Sequence, residues 1–160
     1  MVFASRIEVA LKDAASLHAR LMALEASEAL AFEHGFAPEH LSPGLLAHLE
    51  EGRGASAEQR ERDRFAMRSL RQMFTDEVPA DAVWLTPAAT GPAPDFDSGT
   101  GNPVFNRIWS LLGLPCCSVP VLRSSGGHPI GVQVVGAMGN DRGVLTVRSE
   151  EHTSELQSHH

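Results

Sequence analysis

The chain changes texture near Pro79, and this change limits what it can fold into. Before it, apolar residues recur at helical spacing. Leu17, Leu21, Leu24, Ala31 and Phe32 share one arc of a helical wheel, which predicts a helix over residues 16–34. Gly35 reads as its stop, with Pro38 as a breaker behind it. Ser42-Pro43 reads as an N-cap followed by proline at the first helical position, opening a short helix to Gly52. A third helix is expected from about Ser56 to Glu77, with Ala66, Met67, Leu70, Met73 and Phe74 as its apolar face.

After Pro79, apolar residues come in short runs cut by proline and glycine. Residues 82–86 read as a buried strand ended by Pro87. Residues 88–103, rich in Pro, Gly, Ala, Asp and Thr, read as a loop. Residues 103–112 look helical, with Gly113 as the stop. Residues 117–122 and 130–135 are β-rich runs separated by a glycine-containing turn, which suggests a hairpin. Helices first and continuous apolar strands later point to an α/β layer structure whose N-terminal half is helical.

At 160 residues the chain fits one domain or a piece of a larger one. Its net charge of −7 disfavours nucleic acid or an anionic membrane as a partner. The most apolar stretch, residues 108–122, is broken by Pro115 and Pro120 and does not span a bilayer. No basic segment followed by an apolar one opens the chain, so no signal peptide is expected. Cys116 and Cys117 are adjacent and point to opposite faces of a strand. A disulfide between them is not expected, and a reducing cytoplasm is the natural location.

No complete catalytic constellation is present. His18, His34, His40 and His48 lack metal spacing, and no Gly-rich phosphate loop joins a strand to a helix, so neither metal nor cofactor is expected. Arg60, Arg64, Arg68 and Arg71 form a stripe, but Glu58, Glu61 and Asp63 lie among them, as on a solvated face laced with ion pairs. Glu28, inside the first helix's apolar arc, is expected at the core edge or paired with an arginine. Ser124-Ser125-Gly126-Gly127 imitates a nucleophile loop, yet its setting between two strands favours a plain turn. Gln133 either orients a neighbouring loop or bonds its strand neighbours.

The stretch Arg148-Ser149-Glu150-Glu151-His152-Thr153-Ser154-Glu155-Leu156-Gln157-Ser158 is, residue for residue, the translation of a common DNA-sequencing adapter. Residues 148–160 are therefore expected to be a non-native tail, and their histidines not a metal site. Residues 1–147 remain as the part to interpret.

Three segments in order resemble the C-terminal third of amidase signature enzymes. The first is Asp81-Ala82-Val83-Trp84-Leu85-Thr86-Pro87 with Gly91-Pro92-Ala93-Pro94. The second is Phe105-Asn106-Arg107-Ile108-Trp109-Ser110-Leu111-Leu112-Gly113-Leu114-Pro115 with Val119-Pro120. The third is Gly127-His128-Pro129-Ile130-Gly131-Val132-Gln133-Val134-Val135-Gly136. Leu41-Ser42-Pro43-Gly44-Leu45 and Glu50-Glu51-Gly52 fit as well. The resemblance implies a partial α/β/α domain with a mixed, twisted sheet over residues 1–147. It implies amide-bond cleavage by a Ser–cis-Ser–Lys triad, in which a neutral lysine takes a proton through the bridging serine while the other serine attacks the carbonyl.

Those residues lie upstream in the family, and no position here matches them; Lys12, the single lysine, has no family context. The chain alone is thus expected to be inactive, with no catalytic residue of its own and with open sheet edges that favour poor folding or self-association into a homo-oligomer. In the whole enzyme, Thr86, Pro87, Phe105, Asn106 and Trp109 are expected in the wall of a pocket for a small-molecule amide, with plain core packing as the rival reading for Trp109. The A subunit of tRNA-dependent amidotransferases typically carries Asp, Thr and Asn where this chain has Pro103, Asn106 and Ser110, which favours a general bacterial-type amidase over that protein. The remaining alternative is a non-enzymatic helical interaction module, which leaves residues 83–136 unexplained.

Overall fold

The computed structural model describes residues 13–147; Lys12 and residues 148–160 lie outside the described part. The chain divides into two compact units, one up to Leu70 and one from Arg71 onward.

The first unit is helical: α1 (Ala14–Ala29), α2 (Ala31–Phe36), a 3-10 turn (Pro38–His40), α3 (Pro43–Gly54) and the start of α4 (Ala57–Glu77). Leu17, Leu21 and Leu24 are buried as their spacing requires, and Leu49 of α3 is fully enclosed. The expected helix over 16–34 is two helices. Leu30, at φ −103° and ψ 22°, breaks it, and Phe32 beyond the break is 67% exposed rather than part of the apolar arc. Ala29, Leu30 and Ala31 all favour helix, so no local signal marks the break. Gly35 does not stop the second helix either. It continues to Phe36 and ends before Pro38, whose ring disfavours helical geometry in the residue ahead of it.

The cap of α3 is as the sequence suggests. Ser42 has extended backbone, its Oγ accepts from Leu45 N–H at 3.3 Å, and Pro43 takes the first turn. Ser42→Ala should lower stability by about 1 kcal/mol and Ser42→Gly by only a few tenths, read as shifts of the urea unfolding midpoint.

The second unit holds the end of α4, β1 (Val83–Pro87), a long loop with a 3-10 turn (Phe96–Ser98), α5 (Val104–Leu112), β2 (Cys116–Arg123), β3 (Pro129–Gly136) and α6 over residues 141–147. The order β1-β3-β2 puts the last strand in the middle, and both pairings are antiparallel. The hairpin between β2 and β3 forms as expected, with a register shift between Pro120 and Leu122. Pro120 has no N–H to give the ladder, so an edge strand is where it is tolerated. Gly113 closes α5 in the left-handed region at φ 70°, and Leu114 N–H reaches Trp109 O at 3.0 Å, satisfying a terminal carbonyl.

Register assigns the two sheet faces. Val83, Cys117, Val119, Val121 and Val134 share one face and pack with Val144 and Val147 of α6. Together with the helix-first order, this is the α/β organisation the sequence implied.

Candidate functional site

The other sheet face carries two rows that run across all three strands. One is apolar: Trp84, Val135 and Cys116, with Val135 completely buried and Phe74 of α4 edge-on to Trp84 at 5.7 Å between ring centroids. The neighbouring row is polar: Thr86, Gln133 and Ser118 stand opposite one another. Gln133 is 8% exposed, Thr86 is half-buried and Ser118 is exposed, so the row opens toward β2. The Gln133 Oε1 is buried and meets no hydrogen-bond donor in this structure.

Next along β3, Gly131 leaves room for the chain that follows β1. A Cβ at Gly131 would lie 3.2 Å from the Ala88 Cβ and 2.9 Å from the Ser118 Oγ. Ala88 therefore continues the pairing of β1 with β3 by one more residue, its N–H donating to Gly131 O at 3.1 Å. The Asn106 amide then donates to Ala88 O at 3.3 Å, tying the start of α5 to this loop. Trp109 stands three residues on, on the same side of the helix as Asn106. Its indole Nε1 is also buried without an acceptor. At the far end of α5, the Arg71 Nε donates to Leu111 O at 2.9 Å, placing a cation at the negative end of the helix.

Of the five residues assigned to a pocket wall, the structure brings the strand end and the helix together through Ala88 rather than through direct side-chain bonds. Thr86 lies in the polar row, with its hydroxyl 3.4 Å from Pro87 O. Pro87 is exposed, at the end of β1 and paired opposite Val132. Phe105 and Trp109 are both half-buried. Ser118 escaped the sequence reading because only strand register sets it beside Gln133. Burial pushes the Cys116 thiol up, away from thiolate reactivity, and both cysteines are free.

The helical unit holds a separate open pocket of about 350 Å³, with Ala23 and Leu24 in its wall and Arg20, Gln59, Arg60 and Asp63 among its polar lining. Arg20 and Asp63 in its wall pair with each other. Asp63 accepts from Arg20 Nε at 2.9 Å and Nη2 at 2.8 Å, and from Gln59 Nε2 at 3.0 Å. These bonds, the Arg20 guanidinium first and Gln59 after it, hold the Asp63 carboxyl below the usual carboxylate range against the opposing effect of burial. Glu28 is paired with arginine as expected, meeting Arg64 at 3.0 Å and Arg60 at 3.6 Å; within the stripe itself Arg64 also reaches Glu61 at 3.9 Å, whereas Arg71 bonds Leu111 O instead of a carboxylate. No cluster of metal-ligating side chains occurs among the described residues. None of their helices is long and apolar enough to cross a membrane.

Similarity in sequence and in fold leads to amide-hydrolysing enzymes and an amidotransferase subunit. Human fatty-acid amide hydrolase 2 is 32% identical over 105 residues, covering 64% of this chain and 20% of that protein. The A subunit of the glutamyl-tRNA(Gln) amidotransferase from Ehrlichia chaffeensis is 40% identical over 57 residues, covering 34% of this chain and 12% of that protein. A crystal structure of an amidase superposes with a TM-score of 0.76 at 26% identity, over 86% of this chain and 34% of that one. The 6-aminohexanoate cyclic dimer hydrolase shares the fold, with a TM-score of 0.67 at 14% identity over 86% of this chain and 33% of that one. No protein-family model matches the sequence. In sequence and in fold the chain is thus similar to a part of amidase signature proteins. It spans about a fifth of the human relative's length and a third of the amidase's.

Proposed function

We propose that this chain is one wall of an amide-hydrolase active site and carries no nucleophile of its own. What supports the reading is the Asn106–Ala88–Gly131 connection, which ties the start of α5 and the residue after β1 to β3 next to the polar row. A loop carried at a strand end by a fixed scaffold is a common place for binding residues. Thr86, Pro87, Phe105, Asn106 and Trp109 then line the pocket for a small-molecule carboxylic amide. The serine–cis-serine–lysine machinery belongs to the part of the enzyme that precedes these segments. Residues 148–160 belong to neither part and are read as foreign to the native protein. Location is read as cytoplasmic from the unpaired thiols.

The test is direct. The purified chain should hydrolyse a simple aliphatic or aryl amide no faster than buffer, because nucleophile, base and oxyanion donors are removed together and not singly. Turnover that disappears on mutating one of its own serines, Ser118 for instance, would overturn the proposal.

A second reading, the A subunit of a tRNA-dependent amidotransferase, draws on the short stretches of 40% and 46% identity to such proteins. Pro103, Asn106 and Ser110 depart from the residues usual there, and a general bacterial-type amidase remains the reading we favour.

A further inference from the structure

Arg71 uses one nitrogen for structure: its Nε donates to Leu111 O at 2.9 Å, at the negative end of α5. Its Nη1 and Nη2 reach no carboxylate among the described residues. Beside this end of the side chain lies a pocket of about 60 Å³, which Arg71 lines together with Phe74, Leu112, Leu114, Ala137 and Met138 among others. Phe74, Leu112, Leu114 and Ala137 are buried and form its apolar floor, whereas Met138 is 45% exposed and stands at the mouth. The guanidinium is at the mouth too. A Cβ built on Gly113 would lie 3.6 Å from Arg71 Nη2 and 3.8 Å from Met138 Cε, so the charged end and the methyl flank one point. No carboxylate lines the pocket.

A cationic fork above an apolar slot is complementary to a carboxylate on a hydrocarbon tail. The slot also sets the length of the tail. A cavity of about 150 Å³ holds the six carbons of benzene, so one of about 60 Å³ holds two or three carbons. We propose that this pocket binds a free short-chain carboxylate, whose oxygens accept from Arg71 Nη1 and Nη2 and whose tail enters among Phe74, Leu112 and Leu114. The site is separate from the polar row of Thr86, Gln133 and Ser118, and it does not rest on the amide-hydrolase reading.

Met138 Cε is the reporter. In the full chain labelled with ¹³C-methyl methionine, Met138→Leu assigns its resonance among those of the five methionines. Sodium butyrate, added at constant ionic strength, should shift the Met138 methyl saturably and leave that of Met22, on α1, in place. The half-saturating concentration should fall about fourfold per methylene from acetate through propionate to butyrate, and level off once the pocket is full. Butyramide, alike in shape but uncharged, should bind about tenfold more weakly. Arg71→Gln, which keeps an N–H donor but no charge, should lose the butyrate shift; the series on the parent chain tests the site even where this variant does not fold. The proposal is overturned if butyrate leaves Met138 in place, if butyramide matches butyrate, if acetate binds as well as butyrate, or if Arg71→Gln responds like the parent. A Met138 shift that follows protein concentration instead of butyrate would put a second copy of the chain on this surface and overturns it as well.

Discussion

Gly52→Ala should destabilise the chain by about 2–3 kcal/mol, although alanine is the better helix former by about 1 kcal/mol. Gly52 faces α1 inside the helical unit, and a Cβ there would fall within the van der Waals envelope of the Ala23 carbonyl carbon and oxygen and 2.9 Å from Leu24 N. All three atoms are backbone, so no side-chain rotation relieves the overlap and α1 and α3 must move apart. That movement loosens Leu21, Leu24 and Leu49, which are among the most enclosed side chains of the unit. Overpacking of this kind costs about 1–3 kcal/mol when side chains can adjust, and more when they cannot. Urea unfolding followed by far-ultraviolet circular dichroism checks it. A Gly52→Ala chain as stable as the parent would mean that α1 and α3 do not approach as described.

The second large effect lies at Asp63. Replacing it with alanine should cost about 2–3 kcal/mol at neutral pH, since Arg20 and Gln59 lose a shared acceptor inside a partly buried site. Asparagine, which keeps one acceptor oxygen, should cost less. The pH dependence has a definite sign. The folded-state carboxyl lies below its unfolded value of about 3.9, so the unfolded chain binds the proton first. Asp63 therefore contributes its full stabilisation above about pH 5, and that contribution is lost as pH falls below about 4 and through the folded value. The stability difference between parent and Asp63→Asn should be flat from neutral to about pH 5 and shrink in acid. A difference that grew on acidification would contradict the ion pair. Arg20→Met in the Asp63→Asn background should cost little more than either change alone, because both remove the same interaction.

Much of this protein was legible along the chain because the relevant physics is local. Ser42-Pro43 announces a helix start, since a hydroxyl and a fixed φ act within one turn. Gly113 announces a helix end, since only a residue without Cβ takes a left-handed backbone cheaply. The β-rich runs, the hairpin and the three amidase-like segments were readable for the same reason, and the resemblance followed from their order. The break at Leu30 was not readable, because its immediate neighbours favour helix and nothing in the composition marks it.

What only the tertiary structure decided are pairings between distant residues. The sequence places Asp63 among arginines on one helix; only packing buries it against Arg20, 43 residues away. Thr86, Gln133 and Ser118 become one polar row solely through strand register, and a one-residue slip would turn Gln133 to the opposite face. That Gln133 and Trp109 are left without partners emerges only when every neighbour is in place. Periodicity, caps and breakers act over a few residues and are written in the chain. Hydrogen-bond satisfaction depends on everything within reach in space, and so it is settled by the fold.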